Sequence, residues 1–119
     1  MTTARQAYVN AVVKNYVRLP GTPLCASRGD RRFAGVLYDR CIPLRVVYAA
    51  FVLAAARREV RSPSVPAYPA IRTLHFFGGA IHEVLDTQPD DSYIEHLAAK
   101  IKPLVVQKDV ALRLREISL

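Results

Sequence analysis

Apolar positions recur along this chain at three- and four-residue spacing, and in one stretch they close into an unbroken ring. From Val46 to Ala56 there is no charged side chain. Wound at 100° per residue, Val46, Val47, Phe51, Leu53 and Ala54 cover every side of the cylinder. A helix that is apolar all round must be wrapped by other elements. Pro43 suits a first helical position, where its missing N–H is not needed, and Arg57 and Arg58 suit a last turn, where cations meet the negative end of the dipole. The pattern predicts a buried central helix over about 43–58.

The flanking segments are amphipathic. Tyr8, Val9, Val12, Val13, Tyr16 and Val17 form one stripe and predict a first helix over about 4–19, stopped by Pro20-Gly21-Thr22-Pro23. Ser27, with Asp30 three residues on, caps a second helix over about 28–40. Its wheel sets Phe33, Ala34, Leu37 and Cys41 against Arg28, Arg31 and Arg32. A tight corner at 40–43 leads into the central helix, and a Pro-rich connector follows at 60–69. A fourth helix is expected over about 70–85, with Leu74, Phe77, Ile81, Val84 and Leu85 inward. Gly78-Gly79 at its middle implies a close crossing against the central helix, since two glycines cost about 2 kcal/mol of helix propensity. Ser92-x-x-Glu95 reads as a capping box for a fifth helix, with Tyr93, Ile94, Leu97, Ala98 and Ile101 inward. Pro103 ends or kinks it. The tail repeats Val106, Val110, Leu114 and Ile117 at helical spacing, although Leu112 to Arg115 also alternates as a short strand does. The expected fold class is all-α: a compact bundle of five to six helices around the buried central helix. One domain spans 1–119, with a C-terminal helical extension over about 92–119.

Composition agrees with a globular chain. Of 119 residues, 51% are hydrophobic and 23% charged, which is too apolar for a disordered chain. The longest uncharged run, 11 residues, is short of the ~20 that span a bilayer. No membrane segment is expected. The first residues carry no apolar signal-type core, so a cytoplasmic location is expected. Cys25 and Cys41 lack metal or redox spacing and read as small buried hydrophobes.

Charge changes the picture more. Residues 1–61 carry eleven Lys or Arg against three acidic residues, a net +8, whereas residues 62–119 come to −1. The excess is mostly arginine, the side chain suited to bidentate phosphate contacts. A polyanionic partner is the simplest use of such an asymmetry. The candidate nucleic-acid contacts are Arg28, Arg31, Arg32, Arg40, Arg45, Arg57, Arg58, Arg61 and Arg72. Tyr38 and Tyr68 are placed to stack on an exposed base.

Catalytic and metal chemistry find no foothold. His75 and His82 share a helix face but stand ~10.5 Å apart along its axis, too far for one metal with bonds of ~2 Å. No phosphate loop, dinucleotide fingerprint or nucleophile elbow occurs. Asp90-Asp91 precedes a capping serine, where acidic residues are favoured anyway. The expectation is a non-enzymatic protein without cofactor or metal.

The run from residue 30 to 85 resembles the C-terminal helical domain of DnaD-type replication proteins. The corresponding stretches are Phe33 to Leu37, Ile42-Pro43-Leu44 through Ala56, and His75-Phe76-Phe77 through Ile81, with Phe76-Phe77 in place of that family's Tyr-Ile. The resemblance implies an all-α module that helps load or remodel replication or mobile-element machinery, binds single- or double-stranded DNA and other proteins, and, as such small accessory proteins often do, works as an oligomer. DNA is expected ahead of RNA. The alternative is a protein–protein adaptor or homo-oligomer whose basic face meets an acidic partner. Its motivation is the apolar C-terminal segment, where Leu112, Leu114, Ile117 and Leu119 exceed what a small core needs.

Overall fold

The structure, a computed structural model, describes residues 2–59, 64 and 68–117. Among them are five α-helices and one 3-10 turn, with no strand: α1 (Ala4–Val17), α2 (Arg28–Asp39), α3 (Leu44–Glu59), the turn Leu74–Phe77, α4 (Gly78–Thr87) and α5 (Asp91–Ile117). The all-α expectation holds.

α3 is the centre. Val46, Val47, Ala50, Phe51, Val52, Leu53, Ala55 and Ala56 are all buried, and α1, the 3-10 turn, α4 and α5 pack on them. The ring of burial is not complete, because Leu44 and Tyr48 are exposed. Tyr48 lies in a groove between α1 and α5, whose floor is Phe51, Val52 and Ile101. The aromatic heart is Phe51 against Phe77, ring centroids 4.9 Å apart, with Tyr16 edge-on to Phe77 at 6.0 Å.

Caps fix the ends of the first two helices. Thr3 and Gln6 make a capping box on α1, and Ser27 and Asp30 make one on α2. Asp30 is buried, and its second carboxylate oxygen accepts from the Leu74 N–H at 2.8 Å. One side chain thus caps α2 and pins the start of the 3-10 turn. α2 closes with Cys41 in the left-handed region (φ 60°), where its N–H meets Tyr38 O and the Ile42 N–H meets Leu37 O, a Schellman closure.

Several expectations need correction. Both cysteines are exposed and free: Cys25 lies in an open connection, and Cys41 takes its place because the α2 closure turns it outward. Residues 70–73 form no helix, Thr73 is extended, and the Ile71 N–H donates to Gly21 O at 2.7 Å, so α4 starts only at Gly78. Gly78-Gly79 therefore occupies a first turn rather than a helix crossing. A Cβ at Gly78 would make ordinary contact with Phe33, and one at Gly79 would meet open space. The close approach is at Gly35 instead, where the Arg5 guanidinium lies across the buried glycine on its way to Asp39.

α5 begins at Asp91, and Asp90 O accepts the Tyr93 and Ile94 N–H groups. Ser92 is already inside the first turn, so it does not act as the cap. Tyr93 points to solvent. Pro103 does not end α5: the helix runs on to Ile117, so Leu112 to Arg115, whose alternation also suits a strand, are helical. The carbonyl that loses its partner belongs to Ala99, which is exposed and open to water. Most of the connector at 60–69, and Leu119, lie outside the described residues.

Candidate nucleic-acid interface

α2 turns Arg28, Arg31 and Arg32 outward because Ala34, Leu37 and the capping Asp30 occupy its inner face. The Arg31 guanidinium donates to Asn10 Oδ1 at 2.7 Å, which ties it toward α1. Asp30 joins this first turn to Leu74, and Phe33 stacks on His75 with ring centroids 4.3 Å apart. The N-terminal end of α2 is therefore the neighbour of residues 72–75.

The same residues meet the C-terminal end of α3. Phe76 and Tyr68 flank the Arg58 guanidinium, whose carbon sits 5.5 Å and 5.4 Å from the two ring centroids. Arg58 also donates to Pro69 O. Arg72 is exposed beside them, on the rim of a cleft that includes Arg58, Tyr68 and Phe76. One end of the molecule thus collects Arg28, Arg31, Arg32, Arg57, Arg58 and Arg72.

The remaining candidates divide. Arg40 and Arg45 stand at the opposite end, by the start of α3, roughly 20 Å from Arg58 at 1.5 Å per residue. Arg61 lies outside the described residues. Arg57 belongs to the first end but is held by a bidentate pair with Glu83, both contacts 2.7 Å. That pairing lowers the Glu83 pKa and raises that of Arg57. Among the described residues no carboxylate pairs with Arg28, Arg31, Arg32, Arg40, Arg45 or Arg72.

The aromatic expectations also divide. Tyr38 is half-buried and packs edge-on against Tyr8 at 5.3 Å, so it is less open to a base than Tyr68. Tyr68 is exposed. Phe76, which the sequence reading assigned only to a family pattern, is the second exposed ring. Its signal was its place one residue before Phe77 on the inward stripe, since consecutive residues of a 3-10 turn point about 120° apart.

Two further basic residues are occupied with the fold. Arg18 makes a bidentate pair with Asp109, 2.9 and 3.1 Å. The Lys108 ammonium is shared by Leu19 O, Thr22 O and Thr22 Oγ1 at 2.7–2.9 Å, and burial lowers its pKa. Among the described residues no group of His, Cys, Asp or Glu is arranged to hold a metal ion, and no helix is long and apolar enough to cross a membrane. His82 faces Asp86 one turn on, at 3.4 Å. Comparison with protein families, with curated proteins and with solved structures finds no match to this chain.

Proposed function

We propose that this chain is a small, non-enzymatic nucleic-acid-binding accessory protein that lays the arginine-rich end of its helical body against a polyphosphate backbone. The observation that carries this reading is the convergence of Arg28, Arg31, Arg32, Arg58 and Arg72, from three separate stretches of sequence, on one end of the molecule. Core packing does not require Arg28, Arg32 or Arg72 there: Leu74 and Phe77 are the buried anchors of the segment, and Arg58 is the arginine that also binds it, through Pro69 O. DNA is the partner that the resemblance to DnaD-type replication proteins favours, and replication or mobile-element machinery is its setting.

Binding driven by phosphate contacts releases counterions, so affinity falls linearly with salt on logarithmic axes. The triple substitution Arg28→Ala, Arg31→Ala, Arg32→Ala removes up to three phosphate contacts. It is expected to weaken binding to every duplex tested, and to lower the salt slope by up to about 2.7 on the rule of ~0.9 per contact. Fluorescence anisotropy over a salt series measures both. An unchanged affinity and slope would remove α2 from the interface.

A second reading, self-association, is favoured by one observation. Val106, Val110, Leu114 and Ile117 are half-exposed or more along the outer face of α5. An oligomer of a nucleic-acid-binding protein accommodates both readings.

A further inference from the structure

Phe76 and Tyr68 are 48% and 50% exposed, although aromatic rings of their size could be buried. They are not loosely held. Phe76 sits edge-on to Phe77 at 5.1 Å, and Phe77 is fixed in the core by Phe51. Arg58 stands between the two rings, oriented by Pro69 O. On either side of this trio the surface is concave. One cleft, about 440 Å³, runs along α4 past Gly79, where the absence of a side chain leaves the space beside Phe76 open. The other, about 490 Å³, runs past Ile71 and ends at Arg72.

Flat rings presented to solvent, guanidinium groups between and beside them, and open clefts on both sides fit a chain of unpaired bases. In a duplex the base faces are stacked on one another and only their edges are reachable. In a single strand each base offers a face, and a protein ring can take the place of its neighbour. We infer that the Phe76–Arg58–Tyr68 platform is a single-strand subsite, where bases of an unpaired polynucleotide stack on the two rings while Arg72 meets a phosphate. The inference rests on the nucleic-acid reading above, and names which form of nucleic acid that end of the molecule takes.

The test uses the full chain and three fluorescent probes in anisotropy titrations: an oligothymidylate, an abasic strand with the same number of phosphates, and a blunt duplex. The oligothymidylate is expected to bind at least tenfold more tightly than the abasic strand. Phe76→Ala and Tyr68→Ala are each expected to cost about tenfold or more on oligothymidylate, the loss of one stacked base, with abasic and duplex binding unchanged. Phe76→Trp keeps a stacking face and is expected to retain the affinity, which separates stacking from a folding defect. Equal affinity of the unaltered protein for the oligothymidylate and the abasic strand overturns the platform while leaving phosphate binding intact. Binding to none of the three overturns the platform together with the nucleic-acid reading.

Discussion

Single side chains in this molecule carry consequences that composition hides. The Tyr16 hydroxyl is fully buried and has no hydrogen-bond partner among the described residues. Burial, and then the nearby charge of Asp30, push its pKa up to about 12. A buried polar group without a partner carries a desolvation penalty. Tyr16→Phe, which keeps the ring against Phe77, is therefore expected to raise unfolding stability by about 1 kcal/mol in urea melts. A loss instead would mean that the hydroxyl is bonded in solution. Cys41 is the second case. It holds the left-handed position of the Schellman closure, where a Cβ is costly and glycine is at ease. Cys41→Gly is expected to add about 1 kcal/mol and to leave Cys25 as the one thiol that reacts with a thiol reagent. Of the two residues, Cys41 was misread and Tyr16 only half read. Periodicity put Tyr16 on the inward stripe, but whether its hydroxyl finds a partner depends on where residues distant in sequence arrive. Asp30 has the same history, since its capping role is local and its bond to Leu74 spans 44 residues.

Helices were legible where one face alone is apolar and a cap is local, as in α1 and α2. The start of α4 was misplaced because the contact that holds residues 70–73 out of the helix, the Ile71 N–H to Gly21 O bond, is non-local. Of the two outcomes the Pro103 ring allows, an end or a kink, the end does not occur, because tertiary contacts hold the turns beyond it. Those contacts are Lys108 on the end of α1 and the Arg18–Asp109 pair. The pair has a pH signature. Its hydrogen bond to Arg18 holds the Asp109 pKa below the ordinary carboxylate range, and Asp39 and Glu83 are held low in the same way by Arg5 and Arg57. A carboxylate whose folded pKa is depressed contributes stability that is fully present above its unfolded value, near ~4, and is lost as pH falls through the folded value. Tm is expected to stay level from pH 7 to about 5 and to decline below ~4. Asp109→Asn is expected to lower Tm at pH 7 and to make the acid decline shallower. An acid decline identical in both proteins would show that the pair does not anchor α5.

At the scale of the whole molecule, the central helix and the all-α class were written in the hydrophobic pattern, whereas the grouping of arginines was not. Charge asymmetry pointed to the first half of the chain, yet folding sends Arg40 and Arg45 to one end and Arg28, Arg31, Arg32, Arg57 and Arg58 to the other, and recruits Arg72 from the second half. What the pattern did announce is the outer stripe of α5. Val106, Val110, Leu114 and Ile117 fall within an arc of about 80°, opposite Ile101 and Val105, which face the core, and the half-buried Leu112. Lys102, Asp109 and Glu116 recur every seven residues along one flank. Two copies of α5 laid antiparallel and crossing at Asp109 therefore set Lys102 of each against Glu116 of the other, while each Asp109 is already neutralised by its own Arg18 at 2.9 Å. The self-association reading proposed above takes a second copy of this chain as the occupant of the stripe, and this complementarity is what supports it. Sedimentation equilibrium is expected to give a dimer whose population rises with concentration. Val110→Glu is expected to abolish it, and either Lys102→Glu or Glu116→Lys alone to weaken it. The double charge reversal restores the complementary pair and should recover the dimer. A strict monomer at millimolar concentration, or a double reversal no better than the single ones, would refute this arrangement.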